Sequence, residues 1–153
     1  MPQALVRASL VTAPLLQRDH PVGEAVRVLA AQDLPALPVV DDAGRLLGIF
    51  GEREFIAALF PQYLGTLRSA AFVRASLDDA LERRLASRNE PVGKYTNEEH
   101  VDVPDDVSDL QLAEIFLHHR VLIAPVVRDG RPVGVVPRTA FFRALVARLG
   151  ELA

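Results

Sequence analysis

The sequence predicts an α/β (α+β) fold in which one β-α-β-β-α unit is built twice, with a helical insertion between the copies. Two observations carry this. Pro14–Val40 lies over Val101–Val127 without a gap, and a long stretch that recurs in pattern marks a supersecondary unit used more than once. The hairpin pattern PVVDDAGRLLGIF over residues 38–50 returns as PVVRDGRPVGVV over 125–136, one residue shorter at its turn. Few residues are identical between the copies; the order of residue types is what repeats.

Each element follows in turn. Leu15-Leu16 and Val101–Val103 are short extended pieces. Val22, Ala25, Val26, Leu29 and Ala30 recur at helical spacing and form one apolar stripe. In the second copy Ser108 is the expected N-cap, and Leu112, Ala113, Phe116 and Leu117 supply the stripe. The apolar runs Leu37–Val40 and Ile123–Val127 are strands. Turns at Asp41–Gly44 and Asp129-Gly130 join them to Leu46–Phe50 and Val133–Val136, with glycine at the left-handed position. Gly48 and Gly134 recur inside the hairpins, where the expected cause is backbone approach too close for a side chain. A second helix closes each unit, from about Glu52 to Phe60 and from about Thr139 to Leu149. Between the copies, Tyr63, Leu64, Leu67, Ala71 and Phe72 make a helical stripe. Ser76 with Asp79 resembles a capping box before Leu77, Leu81 and Leu85. The insertion is therefore expected to be two further helices.

Composition narrows function. A chain of 153 residues suits one compact domain or two small modules sharing an interface, and 50% hydrophobic residues supply a core. Net charge is −3 and no basic block stands out, which argues against nucleic acid as a partner. Cysteine is absent, so disulfides, thiolate metal sites and thiol nucleophiles are excluded. The apolar stretch ASLVTAPLL after Arg7 imitates a signal segment, but Thr12 and Pro14 interrupt it and no cleavage pattern follows. No apolar run reaches the about 18 residues that a membrane span needs. The expectation is a cytoplasmic protein with no membrane insertion.

Catalytic patterns are missing. There is no Gly-rich phosphate loop, no Gly-x-Ser-x-Gly elbow and no triad order, so no enzyme is expected. His118 and His119 are adjacent, hence about 100° apart on a helix, and cannot form the i, i+4 pair that zinc favours. At a helix end they suit the dipole as cations. Glu98-Glu99-His100 offers donor types without a ligand pattern. No metal is expected.

The tandem unit with PVVDDxGxLxGI across its hairpin resembles a pair of CBS domains, a Bateman module. The resemblance covers 3–60 as repeat 1 and 92–149 as repeat 2, with 61–91 as the helical insertion. Val92-Gly93-Lys94-Tyr95-Thr96 stands where the family carries a lead-in ending in Met, a departure here. The resemblance implies two repeats packed sheet to sheet as a pseudo-twofold pair, a homodimer, and clefts that hold adenine nucleotides or adenosyl compounds. It implies a regulatory role, for a protein partner that the sequence does not identify. AMP, ATP or S-adenosylmethionine would be a regulatory ligand and not a catalytic cofactor.

The family's ligand contacts concentrate on a Ser/Thr-x-x-Asp at the second strand's end, its hydroxyl on phosphate and its carboxylate on ribose. Gly51 stands at the hydroxyl position of the first copy and Glu54 at the carboxylate position. Gly51 still has an N–H near a helix start, where phosphate is favoured. In the second copy Pro137 lacks even that donor, and Ala140 accepts nothing. Ligand-binding candidates are therefore Gly51, Arg53, Glu54, Arg138 and Thr139, with the arginines as phosphate partners. Each has a plainer reading beside it: Glu54 as a first-turn acid favoured by the helix dipole, the arginines as surface charges. The leading expectation is nucleotide sensing through the first repeat's cleft. The alternative is a ligand-free module used for dimerisation or docking.

Overall fold

The computed structural model describes residues 3–59, 78, 82 and 86–152. The first half contains α1 (Ala4–Ser9), β1 (Leu16–Gln17), α2 (Val22–Ala30), β2 (Ala36–Val40), β3 (Leu46–Gly51) and α3 (Glu52–Leu59). Two short 3-10 turns follow, Ala86–Asn89 and Val92–Tyr95. The second half contains β4 (Val103–Pro104), α4 (Asp109–His118), β5 (Ile123–Arg128), β6 (Arg131–Pro137) and α5 (Arg138–Leu152). The two helices expected in the insertion lie outside the described residues, apart from isolated positions.

The repeat is carried into register. Each half forms a three-stranded sheet, β1-β2-β3 and β4-β5-β6, with the first pair parallel and the second antiparallel. Leu16 faces Val39 as Val103 faces Val126. The hairpins share an irregularity at the same place, between Val39 and Val40 and between Val126 and Val127. The shorter second turn is the two-residue kind: Asp129 and Gly130 have φ of 54° and 76°, the left-handed pair that a tight hairpin requires. In the longer first turn Gly44 takes φ 81°, and the Asp41 carboxylate accepts the N–H groups of Ala43 and Arg45, each at 2.9 Å. The tips of the two turns touch: Leu46 N–H donates to Gly130 O at 2.8 Å, and Arg131 Nε donates to Ala43 O at 3.0 Å.

The lead-in of each half crosses to the other half's sheet. Asn97 pairs with Ile49 of β3, and Val11 pairs with Val135 of β6. Gly48 and Gly134 sit beneath these crossings. A Cβ on Gly48 would meet Asn97 O at 2.3 Å, and one on Gly134 would meet Leu10 Cδ1 at 2.8 Å. The recurring hairpin glycines thus exist for close approach, and the exchange of lead-ins relates the halves by an approximate twofold.

Two cores result. Leu16, Val22, Ala25, Leu37, Val39 and Phe50 pack together, and Ile123 and Val135 from the second half join them. The other core gathers Val103, Leu112, Ala124, Val126, Val136 and Phe141 around Val6 of α1. Residues 4–9, which the sequence did not mark as helical, therefore pack in the second core. A helix of six residues shows no periodicity to read. Its N-terminus is held from far along the chain, where the Asp109 carboxylate accepts the N–H groups of Leu5 and Val6 at 3.2 and 3.0 Å. In return the Gln3 side chain accepts the Asp109 N–H at 2.8 Å. Ser108 caps α4 as expected, in a reciprocal box with Gln111.

Two stripe positions turn outward. Ala30 is exposed, and Leu117 is 77% exposed while Leu112 is buried. At 100° per residue each lies on the stripe's margin. Phe141 goes the other way: it is buried and stacks at a tilt near Phe116, leaving Phe142 as the exposed phenyl of α5. No helix among the described residues is long and apolar enough to cross a membrane.

Candidate functional site

The strand-to-helix junction of the first half builds one wall of a cleft. β3 ends at Gly51 and α3 begins at Glu52, whose N–H donates to Pro35 O at 3.0 Å. The second half repeats the tie, with Arg138 N–H on Leu122 O at 2.9 Å. These bonds lash each closing helix to the segment before its central strand. They also occupy the first N–H of each helix, which removes one donor from any bound anion.

Facing the first junction across the cleft is the segment Arg120–Ile123 of the second half. A cavity of about 520 Å³ lies between them. Ile49, Ile56, Leu122 and Ile123 give it an apolar body, and Arg53, Glu54 and Arg120 border it with charge. Glu54 is half-buried there and Arg53 is exposed. Asn97 closes one side as a rigid wall: its backbone is bonded to Ile49 in both directions, at 3.1 and 2.8 Å, and its side-chain oxygen accepts the Glu99 N–H at 2.9 Å. A volume and lining of this kind suit a small organic ligand with a few fixed polar contacts.

The sequence candidates separate on this geometry. Arg53 and Glu54 come together on the cavity wall. Gly51 is buried in β3, paired with Ala36, and is not among the residues bordering the cavity. A Cβ there would meet Pro35 O at 2.2 Å, Ala36 Cβ at 2.5 Å and Ala36 Cα at 2.7 Å. Glycine is therefore required by strand approach, and the position has no room for the family's hydroxyl. Arg138 and Thr139 are exposed at the start of α5 and border none of the described cavities. Pro137 beside them is buried.

Asn97 enters the site without having been singled out for it, and Arg120 enters from the His118-His119-Arg120 stretch, whose expected role was that of cations at a helix end. Both lie in irregular segments and reach the cleft only because the halves face each other. His118 and His119 border a separate groove with Asp102 and Glu114. Among the described residues no cluster of His, Cys, Asp or Glu is arranged to hold a metal ion.

Comparison with known proteins agrees with this architecture. The family model of the CBS domain matches the chain twice, at residues 11–61 and 92–147. No curated protein matches the sequence. A CBS domain-containing protein of unknown function from Kribbella flavida is similar at 25% identity and a TM-score of 0.69, over 91% of this chain and 95% of that one. A CBS-domain containing protein from Agrobacterium tumefaciens is similar at 23% identity and a TM-score of 0.66, over 92% and 90%. The crystal structure of CBSX2 in complex with AMP is similar at 19% identity and a TM-score of 0.68, over 92% and 95%. With both repeats matched by the family model and both built as β-α-β-β-α units, this chain belongs to the CBS-domain family as a tandem pair.

Proposed function

We propose that this CBS pair is a regulatory module that binds an adenine nucleotide or adenosyl compound, one per chain, in the cleft beside α3. The observation that carries the reading is the cavity of about 520 Å³ with Glu54, Arg53 and Arg120 on its wall. A base fits the apolar body, the Glu54 carboxylate accepts from both ribose hydroxyls, and an arginine meets phosphate. AMP in the related CBSX2 structure supports the ligand class. The pseudo-equivalent junction has Pro137 and Ala140, which supply neither donor nor carboxylate.

Calorimetric titration of AMP, ATP and S-adenosylmethionine into the wild type and Glu54→Ala tests this. A hydrogen bond to a charged group contributes about 1.5–3 kcal/mol, so the substitution is expected to weaken binding at least about tenfold. Affinity unchanged by it would move the site elsewhere. The second reading, a docking module without a ligand, draws on the apolar stripe of α5, where Phe142, Val146 and Leu149 are 62%, 51% and 65% exposed. A homodimer through this face is compatible with both readings.

A further inference from the structure

The groove beside His118 and His119 shares no bordering residue with the cleft beside α3. It holds about 590 Å³ and is built from the second half alone, between the edge strand β4 and α4. Gln111, Glu114, Ile115 and His118 stand at i, i+3, i+4 and i+7, so α4 turns one stripe toward it. Val103 and Val107, both buried, and the half-buried Ile115 give the groove an apolar floor.

Its rim is negative. The Asp102 and Glu114 carboxylates border it, and among the described residues no lysine or arginine does. His118 and His119 mark the C-terminal end of α4, where the last carbonyls of a helix carry its partial negative charge. Arg120, next in the chain, borders the other cavity instead. Asp102 is also backed by a buried ring. The His100 side chain is 10% exposed, and its Nε2 stands 3.6 Å from Asp102 Oδ1. Its Nδ1 is buried with no hydrogen-bond partner among the described residues. An N–H on Nδ1 would be a buried donor without an acceptor, so the neutral ring carries its proton on Nε2, toward Asp102. A neutral N–H at that distance leaves the carboxylate's charge whole for a second partner.

This wall repels an anion, and a neutral molecule draws little from two carboxylates and a helix C-terminus. A bare metal ion has no ligand cluster here among the described residues. An ammonium on an alkyl body matches every part. Its N–H groups donate to Asp102, to Glu114 and to the lone pair of a neutral imidazole, while its methylenes lie on the valines and Ile115. We propose that this groove is a second ligand site, specific for a small alkyl amine.

The test is calorimetric titration of putrescine, and of its uncharged counterpart butanediol, into the full chain. Three forms are compared: wild type, Asp102→Asn with Glu114→Gln, and Glu24→Gln with Asp33→Asn. The last pair removes the same charge from exposed positions of the first half that border none of the described cavities. The wild type is expected to bind putrescine at least about tenfold tighter than butanediol. The groove pair should weaken putrescine binding at least about tenfold, and the first-half pair should keep wild-type affinity. Proton NMR of the wild type gives a second readout that needs no variant to fold. The imidazole signals of His118 and His119 should move with putrescine while that of His20, in the first half, stays. Absent putrescine binding, butanediol bound as tightly, equal losses in the two pairs, or unresponsive His118 and His119 signals would each overturn the site.

Discussion

Adding one methyl group at Gly51 should strain the junction that carries the site. In Gly51→Ala the new Cβ would stand 2.2 Å from Pro35 O, 2.5 Å from Ala36 Cβ and 2.7 Å from Ala36 Cα, all inside the 3.0 Å that real Cβ contacts respect. Two of these three are backbone atoms, so no rotamer change relieves them. The β2–β3 pair must part where Ala36 faces Gly51, and the bond from Glu52 N–H to Pro35 O loosens with it. Overpacking a tight site costs about 1–3 kcal/mol, and a clash with fixed backbone belongs at the upper end, about 3 kcal/mol. For a chain of this size, about 2–4 °C per kcal/mol then lowers the melting temperature by about 6–12 °C. Differential scanning calorimetry reads this directly. Gly150→Ala in α5 is the control: its Cβ would meet nothing within 4 Å, so the helix should hold or gain stability. A melting temperature for Gly51→Ala within about 2 °C of wild type would refute the packing argument. Gly51→Ser carries the same clash, so the family's hydroxyl cannot simply be restored here.

Two further outcomes follow from the turns and the closing helix. The N–H groups of Arg45 and Ala43, with the charges of Arg45 and Arg18, hold the Asp41 carboxyl below its ordinary value of 3.8. The folded turn thus binds the proton less tightly than the unfolded chain does. Its contribution is complete above 3.8 and fades as pH falls through the lower folded value. The stability difference between wild type and Asp41→Asn, measured by urea unfolding, should shrink as pH falls below 3.8; a difference independent of pH would contradict this. Phe142→Glu, which places a charge on the exposed stripe of α5, should convert a homodimer to monomer in light scattering, and a wild type that is monomeric at high concentration would end the dimer reading.

The sequence disclosed what local physics fixes. Asp129-Gly130 demanded a tight hairpin, Ser108 demanded a cap, and the Val22–Leu29 stripe demanded a buried helix face, because each depends on near neighbours alone. It disclosed the pairing of halves through repetition. What it hid depends on distant partners. Helix α1 stands because Asp109 caps it and Val6 fills the second core, and neither is visible within six residues. Arg120 reaches the cleft from a segment with no periodic signal. Gly51 was legible as a missing hydroxyl but not as a forced glycine, since its reason is the Pro35–Ala36 backbone alongside.

The frame is doubled, and the candidate ligand positions are not. Positions kept in both copies answer to packing: the turn glycines, the shared strand irregularity, Gly48 and Gly134 beneath the crossed lead-ins. The positions that the resemblance assigns to a ligand differ between the copies: Gly51, itself forced by Pro35 and Ala36, with Glu54 at one junction, and Pro137 with Ala140 at the other. With hydroxyls absent at both and one N–H of each helix start already bonded, recognition on the proposed reading leans on side chains. Those side chains come from opposite halves, Glu54 and Arg53 from the first and Arg120 from the second. A ligand held by both halves binds only their native arrangement. At a hundredfold excess over Kd such a ligand stabilises that arrangement by about 2.7 kcal/mol. A module that must report occupancy to a partner needs this coupling between halves, and a site confined to either repeat would not provide it.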